Sequence, residues 1–130
     1  VCRPAPAAPP VFIHRDYHPT NVLWQGGAVS GVVDWINACQ GPAGVDVAHC
    51  RTNLATMYGP AAADQFLETY GKADPGFTYD PYWDLDSLLD MCLPEPVFYP
   101  PWQDFGLDLL GPEVLASRVD AYLESVMQRV

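Results

Sequence analysis

The chain has 130 residues, the size of one domain. Acidic residues number 16 against 6 basic ones, a net charge of −10, and this excludes phosphate-neutralising nucleic-acid binding and a basic membrane-surface helix. Apolar residues make up 49 %, enough for a packed core and too many for a disordered tail, and no apolar run reaches the roughly 20 residues of a membrane helix.

Residues 1–10 carry Pro4, Pro6, Pro9 and Pro10 among alanines, an extended lead-in to the domain at 11–130. The start, Val1-Cys2-Arg3-Pro4, has no Met and no charged-then-apolar leader, so a chain cut from something longer is expected. Val11, Phe12 and Ile13 predict a short buried strand, and His14 to Thr20 a polar loop holding Pro19. A second strand is expected over Asn21 to Gln25. Gly26-Gly27 is a hairpin turn, and Val29 to Val33 return as the partner strand that ends at Asp34. Helices fill the rest. One follows Pro42 and Gly44, with Val45, Ala48, Leu54, Ala55 and Tyr58 as its apolar positions, and ends at Gly59-Pro60. The next carries Phe66, Leu67 and Tyr70 and stops at Gly71. Asp80-Pro81 starts a third, with Asp as N-cap and Pro at the first helical position, and Tyr82, Leu85, Leu88, Leu89 and Cys92 follow at helical spacing. Pro94, Pro96, Pro100 and Pro101 make a loop. A last helix runs from about Pro112 to Gln128, with Val114, Leu115, Val119, Tyr122, Leu123 and Val126 expected on its buried face.

The four cysteines, Cys2, Cys39, Cys50 and Cys92, contain no C-x-x-C pair, so a paired-cysteine zinc site is not expected. Reduced, mostly buried thiols are expected instead, which favours a cytoplasmic protein.

The chemistry concentrates in His14-Arg15-Asp16-Tyr17-His18-Pro19-Thr20-Asn21 and Val32-Val33-Asp34-Trp35. Asp16 follows one short strand, Asn21 opens the next, and Asp34 ends that strand's hairpin partner. The loop lets Asp16 and Asn21 face one pocket, and the hairpin returns Asp34 beside Asn21. A carboxylate and an amide oxygen are hard ligands that suit Mg²⁺. A second carboxylate, free of metal, can accept a proton from an alcohol. Phosphoryl transfer divides the work in this way.

The spacing matches the kinase catalytic loop H-R-D-x-x-x-x-N with a later Asp before an aromatic residue. With His18-Pro19 inside the loop, and Asp34-Trp35 where protein kinases have Asp-Phe-Gly, the chain resembles the aminoglycoside phosphotransferase and choline-kinase-like family. Gly41-Pro42-Ala43-Gly44-Val45-Asp46-Val47-Ala48 is similar to that family's following segment. The likeness is dense over 11–50, the catalytic loop and metal site, and loose over 51–130, the helical subdomain. It implies an α+β fold: a mainly helical, kinase-like C-terminal lobe with a small β-hairpin beside the catalytic loop. It further implies Asp16 as base, Asn21 and Asp34 as Mg²⁺ ligands, ATP or GTP as phosphoryl donor, and a small-molecule hydroxyl as acceptor. His14 corresponds to the residue that packs under the loop, and Asp46 to the helix Asp that braces it, with helix-start capping as the other reading of Asp46. Arg15 departs from the Gly common in the small-molecule kinases. There is no Gly-rich loop, and Lys72, the sole lysine, falls near a helix end. The N-terminal lobe is therefore expected to be absent and the isolated chain inactive or nearly so. Uncovered apolar surface is expected to drive association. The rival readings are a non-catalytic relic or partner-binding fragment, and a kinase with a protein acceptor.

Two further groups call for a role. Asp80, Asp84, Asp86 and Asp90, with Tyr79, Tyr82 and Trp83, combine carboxylates with aromatic faces and suit a cationic substrate, Asp84, Asp86 and Trp83 above all, or else form a solvated helix face. Val97 to Phe105 holds four aromatic residues that line a substrate wall or belong to the core. His18 reads as a satisfied loop histidine, and His49 as a core or surface helix residue.

Overall fold

The computed structural model describes residues 3–108 and 110–130, so Cys2 lies outside the described residues. Among the described residues, four short strands and four α-helices follow in chain order: β1 (Pro10–Ile13), β2 (Val22–Gln25), β3 (Ala28–Val32), β4 (Cys39–Pro42), α1 (Ala43–Tyr58), α2 (Pro60–Ala73), α3 (Pro81–Cys92) and α4 (Pro112–Met127). The α+β, mainly helical architecture agrees with the sequence reading.

The strands form two antiparallel pairs, β1 with β4 and β2 with β3. In the second pair Gly26 and Gly27 both take positive φ (60° and 81°), the conformation a two-residue turn needs to match the twist of its strands. β4 is absent from the sequence reading, because Cys39-Gln40-Gly41-Pro42 carries turn residues rather than a strand pattern. It pairs with β1, where Gly41 stands opposite Val11 and a Cβ at Gly41 would press on the Ile13 side chain. β4 runs directly into α1 and so aims that helix past the end of β1.

α1 is the axis of the molecule. It packs against α2, α3, α4 and β1, and its second half is buried nearly all round, including Arg51, Thr52, Asn53 and Thr56. This explains why its apolar period is weak. A helix covered on every side has no polar face, and here polar residues are paired inside. α3 starts as expected, with the Asp80 carboxylate accepting the Tyr82 N–H at 2.9 Å. One apolar cluster joins Ala55, Ala63, Leu88, Cys92, Tyr122 and Val126 from all four helices. A second gathers Met57, Trp102 and Leu115. α2 runs to Ala73, through Gly71.

At the centre sits the Arg51 guanidinium, 0 % exposed. Its Nε donates to Asp84 Oδ1 at 3.1 Å and lies 3.2 Å from the Tyr122 hydroxyl. One terminal nitrogen donates to the Ala63 carbonyl at 3.2 Å, and the other reaches Asp64 at 3.4 Å. Tyr79 closes the group by donating its hydroxyl to Asp84 Oδ2 at 2.6 Å. Burial, with Asp84 beside them, pushes the Tyr79 and Tyr122 phenols above their ordinary range.

Two outcomes follow. Arg51→Ala leaves Asp84 charged, buried and unpaired, and is expected to lower unfolding free energy by about 3–5 kcal/mol in urea denaturation; Arg51→Met with Asp84→Leu, which removes both charges, is expected to be the less destabilised of the two. Burial pushes the Cys50 thiol up to about 12 and Cys92 to about 11, whereas Cys39 is exposed. Brief alkylation at pH 8 followed by peptide mapping is expected to label Cys39 and to spare Cys50 and Cys92 until the chain unfolds.

Candidate functional site

The loop His14–Thr20 leaves β1 and is caught at once by α1. Asp46, in the first turn of that helix, accepts the backbone N–H of His14 at 2.6 Å and of Arg15 at 2.7 Å, one on each carboxylate oxygen. Charge-assisted bonds of this kind are roughly twice as strong as neutral ones. They hold Arg15 at φ 67°, the left-handed region where glycine is at ease and other residues lose about 1–2 kcal/mol. The family-typical Gly at this position thus has a physical counterpart in the backbone.

His14 lies beneath the loop, 2 % exposed. Its Nε2 is 2.8 Å from the Val33 carbonyl, and its Nδ1 is 3.2 Å from the Asp16 backbone nitrogen. A carbonyl can only accept and a backbone N–H can only donate, so the hydrogen sits on Nε2 and the lone pair on Nδ1. The ring therefore links the Asp16 loop to the end of the hairpin. Trp35 covers it, with ring centroids 4.5 Å apart.

Asp16 follows. Asn21 donates its side-chain N–H groups to the Asp16 carbonyl at 2.9 Å and to carboxylate Oδ2 at 3.2 Å. The other carboxylate oxygen, Oδ1, lies 3.3 Å from His18 Nε2 and 3.3 Å from His49 Nε2. Burial pushes both imidazoles below their ordinary pKa, and the nearby Asp16 charge opposes this. The Asp16 side chain is 34 % exposed and opens on a cavity of about 340 Å³ whose wall includes Asn53, Thr56, Tyr99 and Trp102.

Asn21 is buried in the short 3₁₀ turn Pro19–Asn21. Because its amide N–H groups are taken by Asp16, its oxygen Oδ1 remains for a cation. The Val33 N–H donates to the Asn21 carbonyl at 2.9 Å, which brings Asp34, the next residue, alongside. The exposed Asp34 side chain caps nothing in the 3₁₀ turn Trp35–Asn37 that follows it, and its backbone is left-handed, φ 66°. An amide oxygen beside an uncommitted carboxylate is a donor set that fits Mg²⁺.

The third group of candidates does not assemble. Asp84 is 1 % exposed and bound to Arg51 and Tyr79. It shares the α3 face of Leu88 and Cys92, at i, i+4 and i+8, which points into the core. It is therefore neither on a solvated face nor open to a substrate. Trp83 packs its indole over Gly44 of α1, and Asp86 alone is exposed. The aromatic loop divides as well: Tyr99 and Trp102 line the cavity, while Phe98 and Phe105 pack on the second cluster. His49 is the residue that sequence reasoning missed. Its signal was its position three residues after Asp46, on the helix face that meets the loop.

Comparison with known proteins agrees with this geometry. A family model described as the phosphotransferase enzyme family matches residues 2–86, well over half of the chain. A homoserine kinase of Afipia carboxidovorans is 34 % identical over 73 residues, a stretch that covers 53 % of this chain and 22 % of that protein. The chain thus corresponds to about a fifth of the length of that relative. No solved structure matches. With the family match extending from the lead-in, through the Asp16 loop, Asn21, Asp34 and α1, into α3, the chain belongs to the phosphotransferase enzyme family.

Proposed function

We propose that these 130 residues form the base- and metal-bearing part of a kinase that transfers the γ-phosphoryl group of ATP, or of GTP, to a hydroxyl of a small amino-alcohol-like or aminoglycoside-like molecule. The observation that carries the reading is the Asp16 carboxylate, oriented by Asn21 at the mouth of the cavity on a loop that Asp46 ties to α1. A hydroxyl seated in the cavity would give its proton to Asp16 as its oxygen attacks phosphorus. Asn21 Oδ1 and the Asp34 carboxylate would hold Mg²⁺, which when bound neutralises phosphate charge. Tyr99 and Trp102 in the wall, in a chain of net charge −10, favour an acceptor bearing an amine. The relative named homoserine kinase supports the amino-alcohol side of this choice.

The sequence holds no Gly-rich phosphate loop, and Lys72 is exposed on α2, paired with Glu68 at 2.6 Å. The grip on the nucleotide therefore comes from a lobe outside these residues. Phe12 (69 % exposed), Trp24 (61 %) and Ile36 (85 %) give the strand side of the molecule an apolar surface for that lobe to cover. The free thiols at Cys39, Cys50 and Cys92 and the need for a nucleoside triphosphate favour the cytoplasm. Among the described residues no helix is long and apolar enough to cross a membrane.

Incubated alone with ATP, Mg²⁺ and a panel of amino alcohols and amino sugars, the chain is expected to release no acceptor-dependent ADP. Joined to the nucleotide-binding lobe of a family member it is expected to do so, and Asp16→Asn is expected to lower kcat by about 10²–10⁴-fold. Robust turnover by the chain alone would overturn the missing-lobe reading, and an Asp16→Asn enzyme with more than a tenth of the activity would overturn the base. Asp46→Asn keeps the shape but weakens both loop bonds. It is expected to destabilise the chain by about 1–3 kcal/mol in urea denaturation and to speed exchange of the His14 and Arg15 amides.

A further inference from the structure

The arrangement around Asp16 Oδ1 exceeds what a general base requires. One carboxylate oxygen faces two imidazole nitrogens, His18 Nε2 and His49 Nε2, each at 3.3 Å. The three ligand atoms lie within 4.8 Å of one another. Zinc bound by His nitrogen or carboxylate oxygen has arms of about 2.0–2.1 Å, and a tetrahedron with such arms has edges of about 3.3–3.4 Å. Two of the three edges already have that length.

The surroundings complete the pattern. His18 is 6 % exposed, and its other ring nitrogen, Nδ1, lies 2.8 Å from Thr20 Oγ1. A partner on the far nitrogen holds the ring in place, as is usual for metal-bound histidines, and the Thr20 hydroxyl can accept the Nδ1 hydrogen when Nε2 faces an ion. Asn21 holds Oδ2 of Asp16 and thereby turns Oδ1 towards the histidines. The fourth side faces the cavity, where water can complete the shell. The elements converge from two directions: Asp16 and His18 sit on the base loop, and His49 comes from α1.

We propose that Asp16, His18 and His49 form a Zn²⁺ site, separate from the Asn21 and Asp34 pair. Nitrogen donors separate the two sites by chemistry: imidazoles suit zinc, and the oxygen pair suits Mg²⁺. Zn²⁺ there takes the oxygen that would receive the acceptor's proton, so its binding shuts the base off. This consequence rests on the phosphotransfer reading, whereas the site itself does not.

The test titrates the 130-residue chain with Co²⁺ as a spectroscopic stand-in, in excess Mg²⁺. One equivalent is expected to give the intense visible absorption of a four-coordinate ion, displaced by Zn²⁺. His49→Gln is expected to weaken binding by at least about 100-fold, while Asp34→Asn leaves it unchanged. Because a variant can fail to fold, far-UV circular dichroism accompanies each. The unaltered chain supplies a second readout: one equivalent of Zn²⁺ is expected to shift the ring ¹⁵N resonances of His18 and His49 and to spare those of His14. The proposal is overturned by any of four results: no visible band, competition by Mg²⁺, loss in Asp34→Asn, or a thiolate charge-transfer band that places the ion at a cysteine. Zn²⁺ binding without inhibition of an assembled, active enzyme would keep the site and refute only its action on the base.

Discussion

A guanidinium with no access to solvent has to find its partners inside, and Arg51 finds them on three elements besides its own helix. Asp84 comes from α3, Tyr122 from α4, and the Ala63 carbonyl and Asp64 from α2. The ring faces of Tyr79 and Tyr122 lie 5.2 and 5.7 Å from the guanidinium carbon and add cation–π attraction. Such a group adds little net stability over a well-packed apolar core, because desolvating the charges offsets their attraction. What it adds is geometry. Apolar helices can slide or rotate against one another at small penalty, but a buried charge cannot change partners without leaving one exposed to a low dielectric. The orientation of α1 among its neighbours is fixed in this way.

That orientation matters because α1 also carries the site. Asp46 stands five residues before Arg51, and His49 stands between them. Asp46 holds the backbone of the Asp16 loop, and His49 meets the Asp16 carboxylate. The helix that is pinned in the core by Arg51 therefore presents two of its side chains to the loop at fixed places. From the opposite side, His14 joins the loop to the hairpin through Val33. The loop is gripped from both flanks, which lets Arg15 and Asp34 persist in left-handed backbone conformations.

The parts of this arrangement that lie close together in sequence were legible there. Asp16 and Asn21 are five residues apart, the Gly26-Gly27 turn returns Asp34 to them, and Asp80-Pro81 announces α3. The rest depends on partners far along the chain. β4 was hidden because its strand character comes from pairing with the distant β1, not from its own residues. Asp84 was misjudged because an acidic residue beside Asp86 and Asp90 looks solvated until its counter-ion, 33 residues earlier, is known. The helix α1 was expected, but its weak periodicity hid how fully its second half is buried, since pattern reading expects a polar face.

His49 belongs to both classes. Nothing in its own neighbourhood marks it, because an isolated helical histidine is ordinary. Once Asp46 is placed against the loop, the helical repeat sends the residue three positions on to the same face, and His49 has to lie near whatever that loop carries. The inference needs one tertiary contact and then only helix geometry. It also shows why Asp16 has two kinds of neighbour. Asn21, from its own loop, directs one carboxylate oxygen, while His18 and His49, from the loop and the pinned helix, surround the other. The placement of the Asp16 carboxylate is thereby coupled to the packing of α1, and through Arg51 to the helical core.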